Sequence, residues 1–94
     1  MYYVYVLESL KDGSKYIGST SDLKRRVNDH NSGHSRFTNQ HRPYKLICYM
    51  GLELRSDAER FEDYLKSGYG RRVLKGIIRD YLNRKEVLVY GQKN

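Results

Sequence analysis

The stretch from Lys15 to His30, KYIGSTSDLKRRVNDH, contains the change of period on which the fold reading turns. Lys15-Tyr16-Ile17-Gly18-Ser19 reads as a strand and Thr20-Ser21 as a polar turn. A short helix follows, with Asp22 in its first turn, where a negative charge suits the helix dipole. At about 100° per residue from Leu23, Val27 falls at about 40°, His30 at about −20° and Arg26 at about −60°; Lys24, Arg25, Asn28 and Asp29 point elsewhere. Arg25 therefore belongs to the solvated side. Arg26 and His30 lie one turn apart, on or beside the packed face. An arginine at that boundary either snorkels over the core edge or presents its planar fork of donors to a phosphate.

Upstream, Tyr2 to Glu8 (YYVYVLE) is β-branched and aromatic, the pattern of a strand buried on both faces. Lys11-Asp12-Gly13-Ser14 supplies turn chemistry, so the two strands form an antiparallel hairpin. Tyr5 and Tyr16 then share a face, in one of two registers. A two-residue Asp12-Gly13 turn leaves the tyrosines about four positions out of register, roughly 13 Å apart, whereas a longer loop sets them directly opposite. In both, Gly18 is on their face, and its missing side chain leaves an indentation where a ligand can approach.

Downstream, Asn31-Ser32-Gly33 reads as a helix stop. The polar, basic segment from His34 to Arg42 (HSRFTNQHR) has no regular period and is long for a connection, which points to function or mobility. Pro43 ends it, and Tyr44 to Leu54 is a third strand with Gly51 as a bulge or bend. Ser56 and Glu59, at capping-box spacing, start a second helix. Its apolar face gathers Ala58, Phe61, Leu65 and one acid, Glu62, while Glu59, Arg60 and Asp63 point away. An inward carboxylate needs a cation, a donor or a metal; a structural salt bridge, for instance to Arg26, is the competing explanation. Gly68 and Gly70 break the chain before a third helix with the stripe Val73, Leu74, Ile77, Ile78, Tyr81 and Leu82. Arg71, Arg72 and Lys75 lie mostly outside that stripe. Glu86 to Tyr90 is expected as a last short strand or a packed tail.

A chain of 94 residues has room for one domain and one small core. Its charge of +7 calls for an anionic partner, most simply nucleic acid. The basic groups form two blocks, residues 24–45 and 66–94, which could flank a groove. The single Cys48 sits in an apolar run, which excludes an intrachain disulfide and suggests a small buried residue. No signal, membrane-spanning or lipidation motif is visible, so a cytoplasmic protein is expected.

Two tyrosines on one face, Gly18, Arg26, His30 and inward Glu62 together supply what phosphodiester hydrolysis requires: a base, a cation for developing charge and a ligand for a hard divalent metal. At this point the chain resembles a known family. Tyr3-Val4-Tyr5, then Tyr16-Ile17-Gly18, Asp22-Leu23-Lys24-Arg25-Arg26, His30 and Ser56-Asp57-Ala58 with Glu62 are similar to the GIY-YIG nuclease superfamily, in particular its small single-domain bacterial members. The likeness covers residues 2–80, with 81–94 as an extension of one GIY-YIG-like domain, and the first motif departs from Gly-Ile-Tyr in lacking its glycine.

The resemblance implies an α+β fold, a three-stranded antiparallel sheet flanked by helices. It also implies a metal-dependent endonuclease, structure-selective or weakly specific, acting on DNA ahead of RNA in repair or recombination. On this likeness Tyr16 is the tyrosine that orients or deprotonates water, Tyr5 its hydrogen-bonding neighbour, Arg26 the contact to the scissile phosphate and His30 a supporting group. Glu62 is the sole carboxylate ligand of Mg²⁺ or Mn²⁺, which keeps several waters and takes phosphate oxygens. Lys24, Arg25, Arg36, Arg42, Arg71, Arg72 and Lys75 are the expected nucleic-acid contacts, with a partner protein as a possible source of specificity and no small-molecule cofactor. The rival is a binding module of the same fold without turnover.

Overall fold

A computed structural model of the chain describes residues 1–34, 36 and 38–84. They divide into two compact units, 1–63 and 64–94, the second described as far as residue 84. In the first unit, strand β1 (Tyr2–Ser9) lies between β2 (Lys15–Thr20) and β3 (Tyr44–Leu52), both antiparallel to it. The central position explains the apolar run. Val4, Tyr5, Val6 and Leu7 are each at most 2% exposed, and full burial of one such side chain contributes about 1.5–3 kcal/mol. Glu8 is buried in the same strand, and its carboxylate pairs across the hairpin with Lys15 at 3.6 Å.

The hairpin register is neither of the two expected. Tyr5 pairs with Gly18 and Leu7 with Tyr16, so the tyrosines sit diagonally, two positions apart on one face. The reason is the turn. The Ser9 hydroxyl accepts the amides of Lys11 and Asp12 at 3.1 Å each, and Gly13, at φ 76°, closes the loop with its amide on the Ser9 carbonyl at 2.9 Å. The bulge also moves. Register shifts between Val6 and Leu7, opposite Ile47, whereas Gly51 stays paired with Tyr3. A Cβ on Gly51 would lie 2.5 Å from Met1 Sδ and 3.2 Å from the Tyr3 ring, which accounts for the glycine. Cys48 is half-buried rather than fully buried, and desolvation pushes its thiol pKa up.

Helix α1 (Leu23–Ser32) packs Leu23 and Val27 against Tyr5, Leu7 and Tyr44 on the face that carries Tyr16. Asp22 is the N-cap, just outside the helix, and its carboxylate accepts the Arg25 amide at 3.2 Å. Gly33 ends the helix at φ 86°. The segment that follows holds one 3₁₀ turn (Asn39–His41) and is tied to the hairpin tip: Lys11 Nζ donates to the Gln40 carbonyl at 3.1 Å and His41 Nδ1 lies 2.6 Å from Asp12 Oδ2. Hydrogen bonds from the Ser14 hydroxyl and amide, then His41, hold the Asp12 carboxyl well below the usual carboxylate range.

Helix α2 (Arg55–Lys66) places Ala58 and Leu65 inside, Phe61 and Glu62 at half-burial, and Glu59, Arg60 and Asp63 in solvent. The capping box is not formed. Ser56 is already helical, because the Leu54 carbonyl accepts the Ala58 amide at 3.2 Å, and Arg55 pairs with Glu59 one turn on at 3.5 Å. In the second unit, α3 (Gly68–Ile77) begins earlier than expected: Ser67 caps it, its hydroxyl accepting the Gly70 amide at 3.1 Å, so both glycines lie in the first turn. A Cβ on Gly70 would approach the Tyr64 carbonyl to 1.8 Å, which only glycine permits. Leu74 and Ile78 are buried, but Ile77 is 65% exposed; Ile78 leaves helical geometry and resets the phase of the stripe before residues 79–84 turn helical again. The expected strand at 86–90 lies outside the described residues. Among the described residues no helix is long and apolar enough to cross a membrane.

Candidate active site

Three elements of the first unit converge on one face of the sheet. β1 supplies Tyr5, β2 supplies Tyr16 with Gly18, and α1 supplies Arg26 and His30. The glycine makes the convergence possible. A Cβ on Gly18 would stand 2.5 Å from the Tyr5 hydroxyl and 3.1 Å from the Tyr16 ring, so the Tyr5 phenol rests in the indentation. Tyr16 packs against His30 at 4.7 Å, centroid to centroid, with the ring planes tilted by 58°, and the Tyr5 and Tyr16 rings are 6.3 Å apart.

Arg26 is half-buried, with its guanidinium near the Tyr5 and Tyr16 hydroxyls; the Tyr5 hydroxyl is the main cause holding the arginine pKa above its ordinary value. Arg25, the next residue back, is exposed. The Tyr5 hydroxyl lies 2.9 Å from His30 Nε2. Burial pushes the Tyr5 pKa up to about 12, outweighing the nearby Arg26 guanidinium, which lowers it. Burial and the Arg26 charge push the His30 pKa down, so its fully enclosed ring is neutral at neutral pH.

Glu62 reaches the site from the other side of the sheet. Ser19, which alternation turns away from Gly18, donates its hydroxyl to Glu62 Oε1 at 2.6 Å, and the carboxylate is close enough to raise the Tyr5 pKa slightly. A half-buried carboxylate is a hard oxygen donor suited to a divalent cation. Among the described residues no group of three or more His, Cys, Asp or Glu side chains could hold a metal.

Residues 1–75 match the GIY-YIG catalytic domain. The chain belongs to the GIY-YIG family. It is 45% identical over 65 residues to a UPF0213 protein of Streptococcus pneumoniae, a match covering 68% of this chain and 65% of that relative, so the chain spans about two thirds of its length. A UPF0213 protein of Streptococcus agalactiae is 40% identical over 65 residues, covering 68% of this chain and 73% of that protein. The solution NMR structure of a UPF0213 protein from Bacillus halodurans has 34% identity and a TM-score of 0.51, covering 82% of this chain and 85% of that one.

In this GIY-YIG chain all five sequence-derived candidates, Tyr5, Tyr16, Arg26, His30 and Glu62, fall within residues 1–63. Lys24, Arg25, Arg36 and Arg42 are exposed in the same unit; Arg71, Arg72 and Lys75 are exposed in the other. Two of these have structural occupations. The Arg42 guanidinium lies over Gly33 at the α1 C-terminus, where a cation suits the dipole, and Arg72 sits 5.9 Å from the Tyr69 ring centre. Two polar residues escaped the sequence reading. Ser19 could have been found by alternation once a helix on that face was known. Thr38, fully buried with its hydroxyl 2.7 Å from His30 Nδ1, lies in the segment without period, where no pattern points inward.

Proposed function

We propose that this chain is an endonuclease that hydrolyses a phosphodiester of nucleic acid, DNA ahead of RNA, with Mg²⁺ or Mn²⁺ held by Glu62. The observation that carries this reading is the gathering of both phenols around Gly18 on one sheet face, with Arg26 beside them: its charge and fork of donors suit a phosphate there that develops negative charge. The two phenols differ. Tyr5 is 1% exposed and stays protonated, whereas Tyr16 is only half-buried and can meet water, so orienting the nucleophile falls to Tyr16. A divalent cation, when bound, supplies Lewis-acid polarisation of the phosphoryl group. Glu62, tethered by Ser19, would hold it.

The test is incubation with single-stranded, duplex, flapped and branched DNA and RNA, with Mn²⁺ or with chelator. Cutting is expected with the metal only, and none after Glu62→Gln. In single-turnover assays at saturating protein, Tyr16→Phe and Arg26→Ala should each be slower by on the order of 10² to 10³, and Arg25→Ala close to the parent. If the parent cuts none of these substrates, the chain is a binding module and the nuclease reading falls.

A further inference from the structure

The contact between Thr38 and His30 needs a reason, because it is made at some cost. Thr38 stands at the N-cap of the 3₁₀ turn, where a threonine hydroxyl ordinarily accepts a backbone amide, yet it makes no such bond. Instead the hydroxyl turns inward, at 0% exposure, to His30 Nδ1 at 2.7 Å, and His30 Nε2 lies 2.9 Å from the Tyr5 hydroxyl. Tyr5, His30 and Thr38 are thus a buried line of three groups ending at Arg26.

Proton counting gives the line a direction. Arg26 has donors only and its charge lies near the Tyr5 oxygen, which favours turning that oxygen's lone pairs, not its proton, toward the guanidinium. The Tyr5 O–H then needs an acceptor of its own inside the protein, and His30 Nε2 is at hydrogen-bond distance. A bare Nε2 requires the ring proton on Nδ1, and Nδ1–H requires an acceptor, which the Thr38 oxygen supplies.

We propose that Thr38 is a positioning residue that fixes the His30 tautomer: it accepts Nδ1–H, leaves Nε2 to take the Tyr5 proton, and so presents the Tyr5 oxygen's lone pairs to Arg26. The polar segment after α1 thereby acquires a task, aiming the guanidinium from two side chains away. Its consequence for catalysis rests on the nuclease reading above; the proton arrangement does not.

Long-range proton–nitrogen NMR of the full chain labelled with ¹⁵N reports which ring nitrogen of each histidine carries the proton, with His30→Gln identifying the His30 signals. The parent should show His30 protonated at Nδ1 alone, and Thr38→Ser should keep that pattern. Thr38→Val, which removes the acceptor, should move the proton to Nε2. A parent ring protonated at Nε2, or at both nitrogens, overturns the proposal even if Thr38→Val fails to fold; so does a folded Thr38→Val with the parental signature. On any substrate the parent cuts, Thr38→Val should slow single-turnover cleavage by about 10- to 100-fold, with Thr38→Ser restoring it. The expected tautomer in a parent that cuts nothing would sink the nuclease reading and leave the tautomer assignment in place.

Discussion

Tyr5 is the residue on which the interior turns, and its raised pKa makes a signed prediction. A phenol whose pKa rises from 10.0 to about 12 on folding holds its proton more tightly in the native state. The stability this confers is complete below about pH 10 and is lost as pH rises from about 10 to about 12, by about 3 kcal/mol at most. Urea unfolding across that window should show the decline, and Tyr5→Phe should flatten it; identical slopes in both proteins would remove Tyr5 as its source. Gly18 is the second residue to test. An added Cβ would stand 2.5 Å from the Tyr5 hydroxyl oxygen and 2.7 Å from Cζ, so the phenol must move and its bond to His30 with it. Overpacking of this kind costs about 1–3 kcal/mol. A Gly18→Ala protein with parental unfolding midpoint would mean that the indentation has room to spare.

The elements are joined to one another by a few specific polar contacts. Asn31, near the end of α1, donates through Nδ2 to the Tyr44 carbonyl at 3.1 Å and accepts the Tyr44 amide at 2.6 Å, so its amide group takes the place of a neighbouring strand at the start of β3. Asn31→Ala leaves both backbone groups of the buried Tyr44 without that partner, at a cost of about 2–3 kcal/mol. Asn31→Asp can keep the accepting half alone and should fall between the two in thermal unfolding. If Asn31→Ala melts with the parent, the join between α1 and β3 is made by packing and not by this amide. The element boundaries were legible to the extent that periodicity fixes them. The wheel from Leu23 separated Arg25 from Arg26, and that from Ala58 put half-buried Glu62 on the apolar side with Glu59 and Asp63 off it, because 3.6-residue geometry is local. Turn length was not legible, since Ser9 gathers two amides of its own loop and shifts the pairing by two residues. The expected bulge at Gly51 failed for a related reason: a glycine can mark a close approach by Met1 and Tyr3 as well as a bend.

At the scale of the whole molecule the charge of +7 predicts affinity for nucleic acid that falls with salt, with a slope of log K on log salt of about −0.9 per duplex phosphate neutralised. Fluorescence anisotropy at several salt concentrations measures it. Neutralising Arg71, Arg72 and Lys75, all exposed, should shallow the slope and weaken every sequence alike; an unchanged slope would assign the contact to the first unit alone. Composition points to such a partner, but where the candidate site residues and the basic groups stand in three dimensions depends on tertiary packing that no local pattern encodes. One feature of the sheet bears on how such a site can persist while its surroundings drift. Gly18 and Ser19 are consecutive, yet one receives the Tyr5 phenol and the other tethers Glu62 across the sheet. A single peptide link therefore works as a ruler between the phenols and the carboxylate. Substitutions that repack α2 can slide the helix, but the Ser19 hydrogen bond ties Glu62 to β2, so the carboxylate moves with the residue next to Gly18 for as long as that one bond holds.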